Sequence, residues 1–235
     1  MKHAGKQRKH RFLKAELAVL VVCLACFWAF KSGAIDIDDV KAGVLRQVVK
    51  IDPDNIDAHR FLADYYDCSD RYEEAIRAYK ETVRIDPNDL DTQLNLAYAC
   101  DSLGRFEEAA QAYKEAIRIE PNDAGTQLFL ASTYQDLGRY EDSIRALKRL
   151  IEMEPDIAGL NVLLGRAYVK AGHPEEAIVA YRHATSMNFD NAQAHRGLGE
   201  VYLRTGNRDL ALQEYEILKT LDEELADALL GLLQE

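Results

Sequence analysis

The stretch VRIDPND, residues 83–89, returns almost unchanged further along the chain as IRIEPND, residues 117–123. Related stretches are VKIDPDN at residues 49–55 and EMEPD at residues 152–156. Each of the four contains one proline, and the same interval separates each proline from the next: Pro53, Pro87, Pro121 and Pro155. A constant period of this length is the signature of supersecondary units that repeat and stack on one another. We therefore expect a repeat architecture.

Residues 90–123 show what one unit contains. Apolar residues at helical spacing predict a first helix, and Gly104 follows it with the left-handed backbone that commonly ends a helix. A second apolar stripe predicts a second helix, with the members Ala109, Ala112, Tyr113, Ala116 and Ile117. Pro121 ends this helix because proline cannot continue the hydrogen-bond ladder, and Asp123 can cap the next helix. The proline motif is thus a stop followed by a start, and each hairpin needs a neighbour to bury its apolar face.

The order Leu-Ala-x-x-Tyr, followed by Gly, Ala, Tyr and Pro within each period, resembles the tetratricopeptide repeat family. The resemblance covers five copies, at residues 56–89, 90–123, 124–157, 158–191 and 192–225. We expect a half repeat at residues 35–55 and a capping helix at residues 226–235. The resemblance implies an all-α fold, a right-handed superhelix (α-solenoid) of helix-turn-helix hairpins.

Several copies depart from the family pattern at single positions. Asp70 stands where the first copy would have its turn glycine, and Cys100 replaces a tyrosine in the second copy. Ser143 and Leu147 replace an alanine and an aromatic residue in the third, and Phe189 stands at the proline position of the fourth. The first four departures concern local packing, whereas Phe189 predicts a slightly different stacking angle for the last two hairpins.

The distribution of charge separates residues 1–34 from the remainder. The chain has 29 Lys/Arg and 40 Asp/Glu, of which seven basic residues and one acidic residue lie in residues 1–34. The remainder therefore carries 22 basic and 39 acidic residues, a net charge of −17. So acidic a body repels nucleic acid, and we exclude that class of partner. The four cysteines are too few and too scattered for a disulfide scaffold.

The apolar stretch LAVLVVCLACFWAF, residues 17–30, carries no charge. Extended back to residue 12 it predicts a transmembrane signal-anchor helix over residues 12–31, after a basic tail at residues 1–11. The positive-inside rule predicts a single-pass membrane protein whose N-terminus is cytoplasmic and whose repeats are periplasmic or otherwise extracytoplasmic. Two alternatives stay open: a secreted protein after signal-peptide cleavage near Ala34, and a lipoprotein anchored through Cys26.

Tetratricopeptide arrays are implied to be binding scaffolds, with first helices lining a concave groove. The implied groove residues here are Arg60, Asp64, Leu94, Tyr98, Asp101, Leu128, Val162, Arg166, Lys170, Arg196 and Arg204. Their order predicts a groove that is acidic at the first copies, apolar in the middle and basic at the last, and an extended peptide or partner helix lying along it. The carboxylate clamp of some family members is not expected, since Asp64, Gly125 and Phe129 occupy positions where it requires Asn, Lys and Arg.

The resemblance implies a non-catalytic scaffold or adaptor that organises a protein complex at the membrane. We predict no enzyme activity, cofactor or metal site, since no His pair has metal-ligand spacing and no nucleotide-binding loop is present. One alternative is a cytosol-facing receptor on an organelle surface. Another is a self-assembling structural protein, a homo-oligomer formed through the apolar C-terminal helix and its leucines Leu229, Leu230, Leu232 and Leu233.

Overall fold

The computed structural model describes residues 37–234, and this part of the chain contains helices but no strands. The helices are α1 (Ile37–Ile51), α2 (Ile56–Asp67), α3 (Tyr72–Ile85), α4 (Leu90–Ser102), α5 (Phe106–Ile119), α6 (Ala124–Asp136), α7 (Tyr140–Met153), α8 (Ala158–Ala171), α9 (Pro174–Met187), α10 (Ala192–Arg204), α11 (Arg208–Leu221) and α12 (Glu223–Gln234). They form two compact units, unit 1 ending at Ile119 and unit 2 beginning at Glu120. The predicted all-α, helix-turn-helix architecture is confirmed.

Each turn between a first and a second helix contains one residue with positive φ. Gly104 has a φ of 69° after α4, and glycines hold the equivalent place after α6, α8 and α10. After α2 the same place is held by Asp70, with a φ of 55°. Aspartate tolerates the left-handed region better than most residues, and here its carboxylate also accepts a hydrogen bond from the Tyr72 hydroxyl at 3.0 Å. The departure at Asp70 therefore leaves the turn intact.

Four of the first helices begin with a side-chain cap that the sequence pattern supplies. Asn55, Asp89, Asp123 and Asn191 accept hydrogen bonds from backbone N–H groups in the first turns of α2, α4, α6 and α10. For α6, an Asp123 carboxylate oxygen lies 2.8 Å from the Thr126 nitrogen and also accepts from the Thr126 hydroxyl. These bonds satisfy N–H groups that have no partner inside a helix.

We expect the Asp123→Ala variant to lose about 1 kcal/mol of unfolding free energy at neutral pH, because it removes the cap of α6. The hydrogen bonds from Thr126 lower the pKa of Asp123 in the folded protein. The contribution of Asp123 to the unfolding free energy is therefore present above the pKa of the unfolded state and is lost as pH falls through the pKa of the folded state. Urea denaturation at neutral and acidic pH measures this change. Asp123→Asn keeps an acceptor oxygen and should lose much less; equal losses for the two variants would contradict the capping role.

A buried polar side chain at the fourth position of four copies ties the first helix to the loop before it. The Nε2 of His59 lies 3.0 Å from the Pro53 carbonyl oxygen, and that of His195 lies 2.8 Å from the Phe189 carbonyl oxygen. Gln93 and Gln127 donate to the carbonyls of Pro87 and Pro121 in the same way, each at 3.4 Å. The acceptor always precedes the polar side chain by the same interval, so the replacement of proline by Phe189 leaves this contact in place.

The core of unit 2 depends on glycines that let helices approach an aromatic ring closely. Tyr181 of α9 is 3% exposed, and its ring is flanked by Gly165 of α8 and Gly197 of α10. A Cβ atom on Gly165 would lie 2.7 Å from the ring, and one on Gly197 would lie 2.5 Å from it. Gly199 is equally close to the buried side chain of Leu229 in α12. Glycines in these helix interiors therefore serve close packing.

The predicted localisation as a single-pass membrane protein is wrong, because across residues 37–234 no helix combines the length and apolar character needed to cross a bilayer. The N-terminal segment on which that prediction rested, the helix proposed over residues 12–31 and the cleavage near Ala34, lies outside the described residues.

Candidate functional site

In unit 1, the predicted acidic residues of the first-helix face are held by tyrosines from the second helices. The Tyr79 hydroxyl of α3 donates to Asp64 of α2 at 3.0 Å, and the Tyr113 hydroxyl of α5 donates to Asp101 of α4 at 3.0 Å. Burial, and next the nearby carboxylates, raise the pKa of both phenols. Both tyrosines thus stay protonated as donors, and they fix the position of two carboxylates that remain partly exposed.

Arg60, the first basic residue of the predicted set, is already engaged within unit 1. Its guanidinium pairs with Asp89, the cap of α4, whose other contacts are the Thr92 nitrogen and hydroxyl at 3.3 and 2.9 Å. Desolvation favours a higher pKa for Asp89, but the hydrogen bonds from Thr92 and Arg60 together outweigh it and lower the pKa. Arg60 therefore links α2 to the start of α4, and only part of its side chain faces solvent.

The apolar part of the unit 1 face consists of a half-buried leucine and two exposed aromatic residues. Leu94 is partly covered, whereas Tyr98 is 40% exposed and meets the buried Tyr113 ring edge to face, with 5.8 Å between centroids. Phe61 of α2 is 62% exposed and was missed from the sequence. The signal that could have found it is its helical spacing from Asp57 and Asp64, which places it on the same side of α2.

In unit 2, the predicted basic residues lie on the first helices α8 and α10. Arg166, Lys170 and Arg204 are exposed, while Arg196 pairs with Glu200 at 2.7 Å. Burial, and next the nearby Glu200, raise the pKa of Tyr181 to about 12, although Arg166 and Arg196 oppose this rise. Three cations of this face are therefore accessible to an acidic partner.

The apolar residues of the unit 2 face differ from the expected set. Val162 is 8% exposed and packs in the core, so the structure does not offer it as a contact surface. Leu128 is half-buried. Phe129, its neighbour in α6, is 42% exposed; the sequence had marked it only as a mismatch to the carboxylate clamp. Of the three side chains, Phe129 thus has the largest solvent-exposed fraction.

The leucines predicted for self-association are largely used inside unit 2. Leu229 and Leu233 are 0% and 2% exposed, and Leu229 packs against Gly199 of α10. Leu230 is half-buried, and Leu232 is 43% exposed. Two of the four are therefore satisfied within a single copy of the chain, as expected of a helix that covers the end of a repeat stack.

Three histidines contact polar groups within the fold. His59 and His195 bind loop carbonyls, and His173 lies 2.8 Å from the Glu141 carboxylate. Within residues 37–234, no cluster of three or more His, Cys, Asp or Glu side chains is arranged to hold a metal ion. Cys68 and Cys100 are free thiols, the first exposed and the second buried.

Two family models described as tetratricopeptide repeat match the chain. One matches residues 42–89, 62–124 and 162–228, and the other matches residues 102–166 and 136–184. No curated protein sequence matches.

Solved structures similar to this chain include one described as the crystal structure of MamA. It is 26% identical, with a TM-score of 0.62, over 71% of this chain and 97% of that one. MamA 41-end from Desulfovibrio magneticus RS-1 is 21% identical, with a TM-score of 0.61, over 72% of this chain and 96% of that one. YrrB, described as a TPR protein with an unusual peptide-binding site, is 16% identical, with a TM-score of 0.61, over 79% and 96% respectively. The last two likenesses show the fold alone.

Proposed function

Because the chain belongs to the tetratricopeptide repeat family, we propose that it is a non-catalytic scaffold that binds partner polypeptides through the exposed faces of its first helices. The observation that carries the proposal is in unit 1. There the exposed aromatic side chains of Phe61 and Tyr98 share a face with carboxylates that buried tyrosines hold in place. Rigid aromatic anchors beside fixed charges are characteristic of binding surfaces.

The charge of the unit 1 face favours a partner segment that is basic and apolar. Asp64, Asp67 and Asp70 lie close enough to interact, and desolvation followed by the repulsion of the other two raises the pKa of Asp67. A Lys or Arg of a partner would relieve this repulsion, while Phe61 and Tyr98 bind its apolar side chains. Unit 1 therefore selects a segment that combines basic and apolar residues.

The charge of the unit 2 face favours an acidic partner segment. Arg166, Lys170 and Arg204 are exposed, and Phe129 presents an aromatic ring in the same unit. Exposed cations steer acidic segments toward a surface and fix their register. We infer that unit 2 binds acidic segments, so that the two units recognise different sequences.

Selection of a random peptide library against the full chain tests this function. We expect two classes of enriched peptides: acidic ones that bind unit 2, and others that combine Lys/Arg with apolar residues and bind unit 1. The double variant Phe61→Ala/Tyr98→Ala should raise the Kd of the basic class at least about tenfold, since loss of each aromatic anchor typically costs more than about 1 kcal/mol. Fluorescence anisotropy of labelled peptides measures the change.

Val179→Ala is the matched control, because Val179 is 69% exposed on a second helix, α9. Its Kd for the same peptides should equal that of the wild type, and circular dichroism should show unchanged helicity in all variants. Selected basic peptides that bind the double variant as tightly as the wild type would refute the unit 1 site.

A further inference from the structure

A pocket of about 270 Å³ opens in unit 1 between α3, α4 and α5, away from the faces described above. Its lining is apolar at the base and charged or polar at the rim. The base consists of Val83, Leu96, Cys100 and Ala112, and the remaining lining residues are Lys80, Gln93, Glu108, Gln111 and Glu115. Pockets for drug-sized ligands hold about 300–1,000 Å³, so this one is suited to a single small ring.

The pocket lies where one copy lacks an aromatic residue that the others have. Cys100 is the eleventh residue of its copy, and the eleventh residues of the other four are tyrosines: Tyr66, Tyr134, Tyr168 and Tyr202. Three of these rings are no more than 8% exposed, so the position is a buried ring site in the repeat. The thiol of Cys100 fills much less of this site than a phenol does, and unfilled space in a packed interior forfeits dispersion contacts.

In three of the other copies, a cation lies over the ring at this position. The guanidinium carbon of Arg71 is 4.7 Å from the Tyr66 ring centroid, and that of Arg139 is 4.9 Å from the Tyr134 centroid. The Lys148 ammonium is 5.5 Å from the Tyr168 centroid. These distances are within the range of favourable cation–π contacts. A ring in this site is therefore recognised by its π face as well as by burial.

The space beside Cys100 retains the cations without the ring: Arg105 comes from the second copy and Lys80 from the first. Arg105 and Lys80 occupy the positions equivalent to Arg139 and Lys148, and Lys80 lines the pocket. Both pair with Glu108, which belongs to the rim, just as Arg71 and Arg139 pair with Glu74 and Asp142 in the copies that have the ring. The recognition elements for an aromatic ring are thus assembled around a space whose lining, among the described residues, includes no aromatic ring.

We propose that the Cys100 pocket binds a phenolic ring supplied from outside the chain, either the side chain of a tyrosine in a partner or a free phenol. The ring would stack beneath Lys80 on a base of Val83, Leu96 and Ala112, with its hydroxyl at the Glu108 rim. Cys100 contributes packing and no covalent chemistry, because burial raises the pKa of its thiol to about 11 and keeps it uncharged.

Titration of the full chain with p-cresol, followed by NMR, tests the pocket. We expect saturable binding, with intermolecular NOEs from the cresol ring to the methyl groups of Val83 and Leu96. Cys100→Ala keeps the space and should change the Kd by less than threefold. Cys100→Tyr fills the site from within, and it should abolish binding and raise the thermal midpoint. Cyclohexanol, which lacks the π face, should bind at least tenfold more weakly.

N-acetyl-tyrosine amide distinguishes the two sources. Binding of this compound with the same NOEs supports a tyrosine of a partner, whereas binding of p-cresol alone supports a free phenol. Absence of NOEs to Val83 and Leu96 in the wild type would overturn the proposal, as would equal p-cresol binding by a folded Cys100→Tyr variant. The NOE measurement is made on the unaltered protein, so it decides the matter even where the tyrosine variant does not fold.

Discussion

The Gly197→Ala variant is expected to unfold with about 2 kcal/mol less free energy than the wild type, since overpacking costs up to about 3 kcal/mol and alanine recovers about 1 kcal/mol of helix propensity. The added methyl group would lie 2.5 Å from Cζ of Tyr181. The ring has no room to retreat, because Gly165 confines its other side and the side chain is 3% exposed. Guanidinium denaturation followed by circular dichroism measures the loss.

Gly159→Ala is the control within the same unit. Nothing lies within 4 Å of a Cβ atom on Gly159 in α8, so this variant should be unchanged or more stable by roughly 0.5 kcal/mol. A double-mutant cycle with Tyr181→Ala isolates the clash, since Gly197→Ala should cost almost nothing once the ring is gone. The explanation fails if the penalty of Gly197→Ala persists in the Tyr181→Ala background.

The fold could be predicted because period, helix stops and caps are local signals. Pro121 and Asp123 mark the end of one helix and the start of the next, and in the structure α5 ends before them and α6 begins after them. Gly165 and Gly197 could not be understood in this way. Their reason is a contact with Tyr181, a residue of another helix, and sequence spacing alone does not reveal close approach between helices.

The candidate site was less predictable, because position within a repeat does not determine exposure. Val162 holds the same position as Leu94, yet it is buried against neighbouring helices. Phe61 was omitted, although it is among the most exposed large apolar side chains of the described residues. The degree of exposure depends on the size of side chains contributed by adjacent helices, which differs from copy to copy.

The pocket at Cys100 also could not be predicted from the sequence alone. The replacement of tyrosine by cysteine is visible in the sequence, but its consequence depends on whether neighbours collapse into the space. Here the Lys80–Glu108 pair spans α3 and α5 at the rim and the space remains open. The sequence marked the position, and only the packing of three helices shows that it forms a pocket.

The His195→Gln variant is expected to lose about 2 kcal/mol of unfolding free energy near pH 6, because hydrogen bonds to charged groups contribute about 1.5–3 kcal/mol. His195 Nδ1 lies 2.6 Å from the Glu214 carboxylate and Nε2 lies 2.8 Å from the Phe189 carbonyl oxygen. Both neighbours are acceptors, so the imidazolium, with two N–H groups, satisfies both at once. The side chains of His195 and Glu214 are 4% and 14% exposed, so solvent screens this pair little.

His59→Gln is the matched control, since His59 holds the same position in its copy and its Nε2 faces the Pro53 carbonyl oxygen. Gln93 and Gln127 already make this contact in two other copies. The unfolding free energy of the control should therefore fall by no more than roughly 0.5 kcal/mol, less than a typical hydrogen bond contributes to stability. Urea denaturation of both variants at the same pH measures the difference, which is the contribution of the Glu214 pair.

The pH dependence identifies the charge as the cause. Desolvation lowers the pKa of His195, but the hydrogen bonds to Glu214 and to the Phe189 carbonyl, together with the charges of Glu214 and Asp190, outweigh it and raise the pKa. The stabilisation is therefore fully present below the unfolded pKa of about 6.5 and is lost as pH rises through the folded pKa. The difference in unfolding free energy between His195→Gln and the wild type should narrow over that range. Glu214→Gln should make the unfolding free energy depend less on pH than it does in the wild type. If the difference in unfolding free energy between His195→Gln and the wild type stayed constant from acidic to alkaline pH, His195 would act through packing and not through its charge.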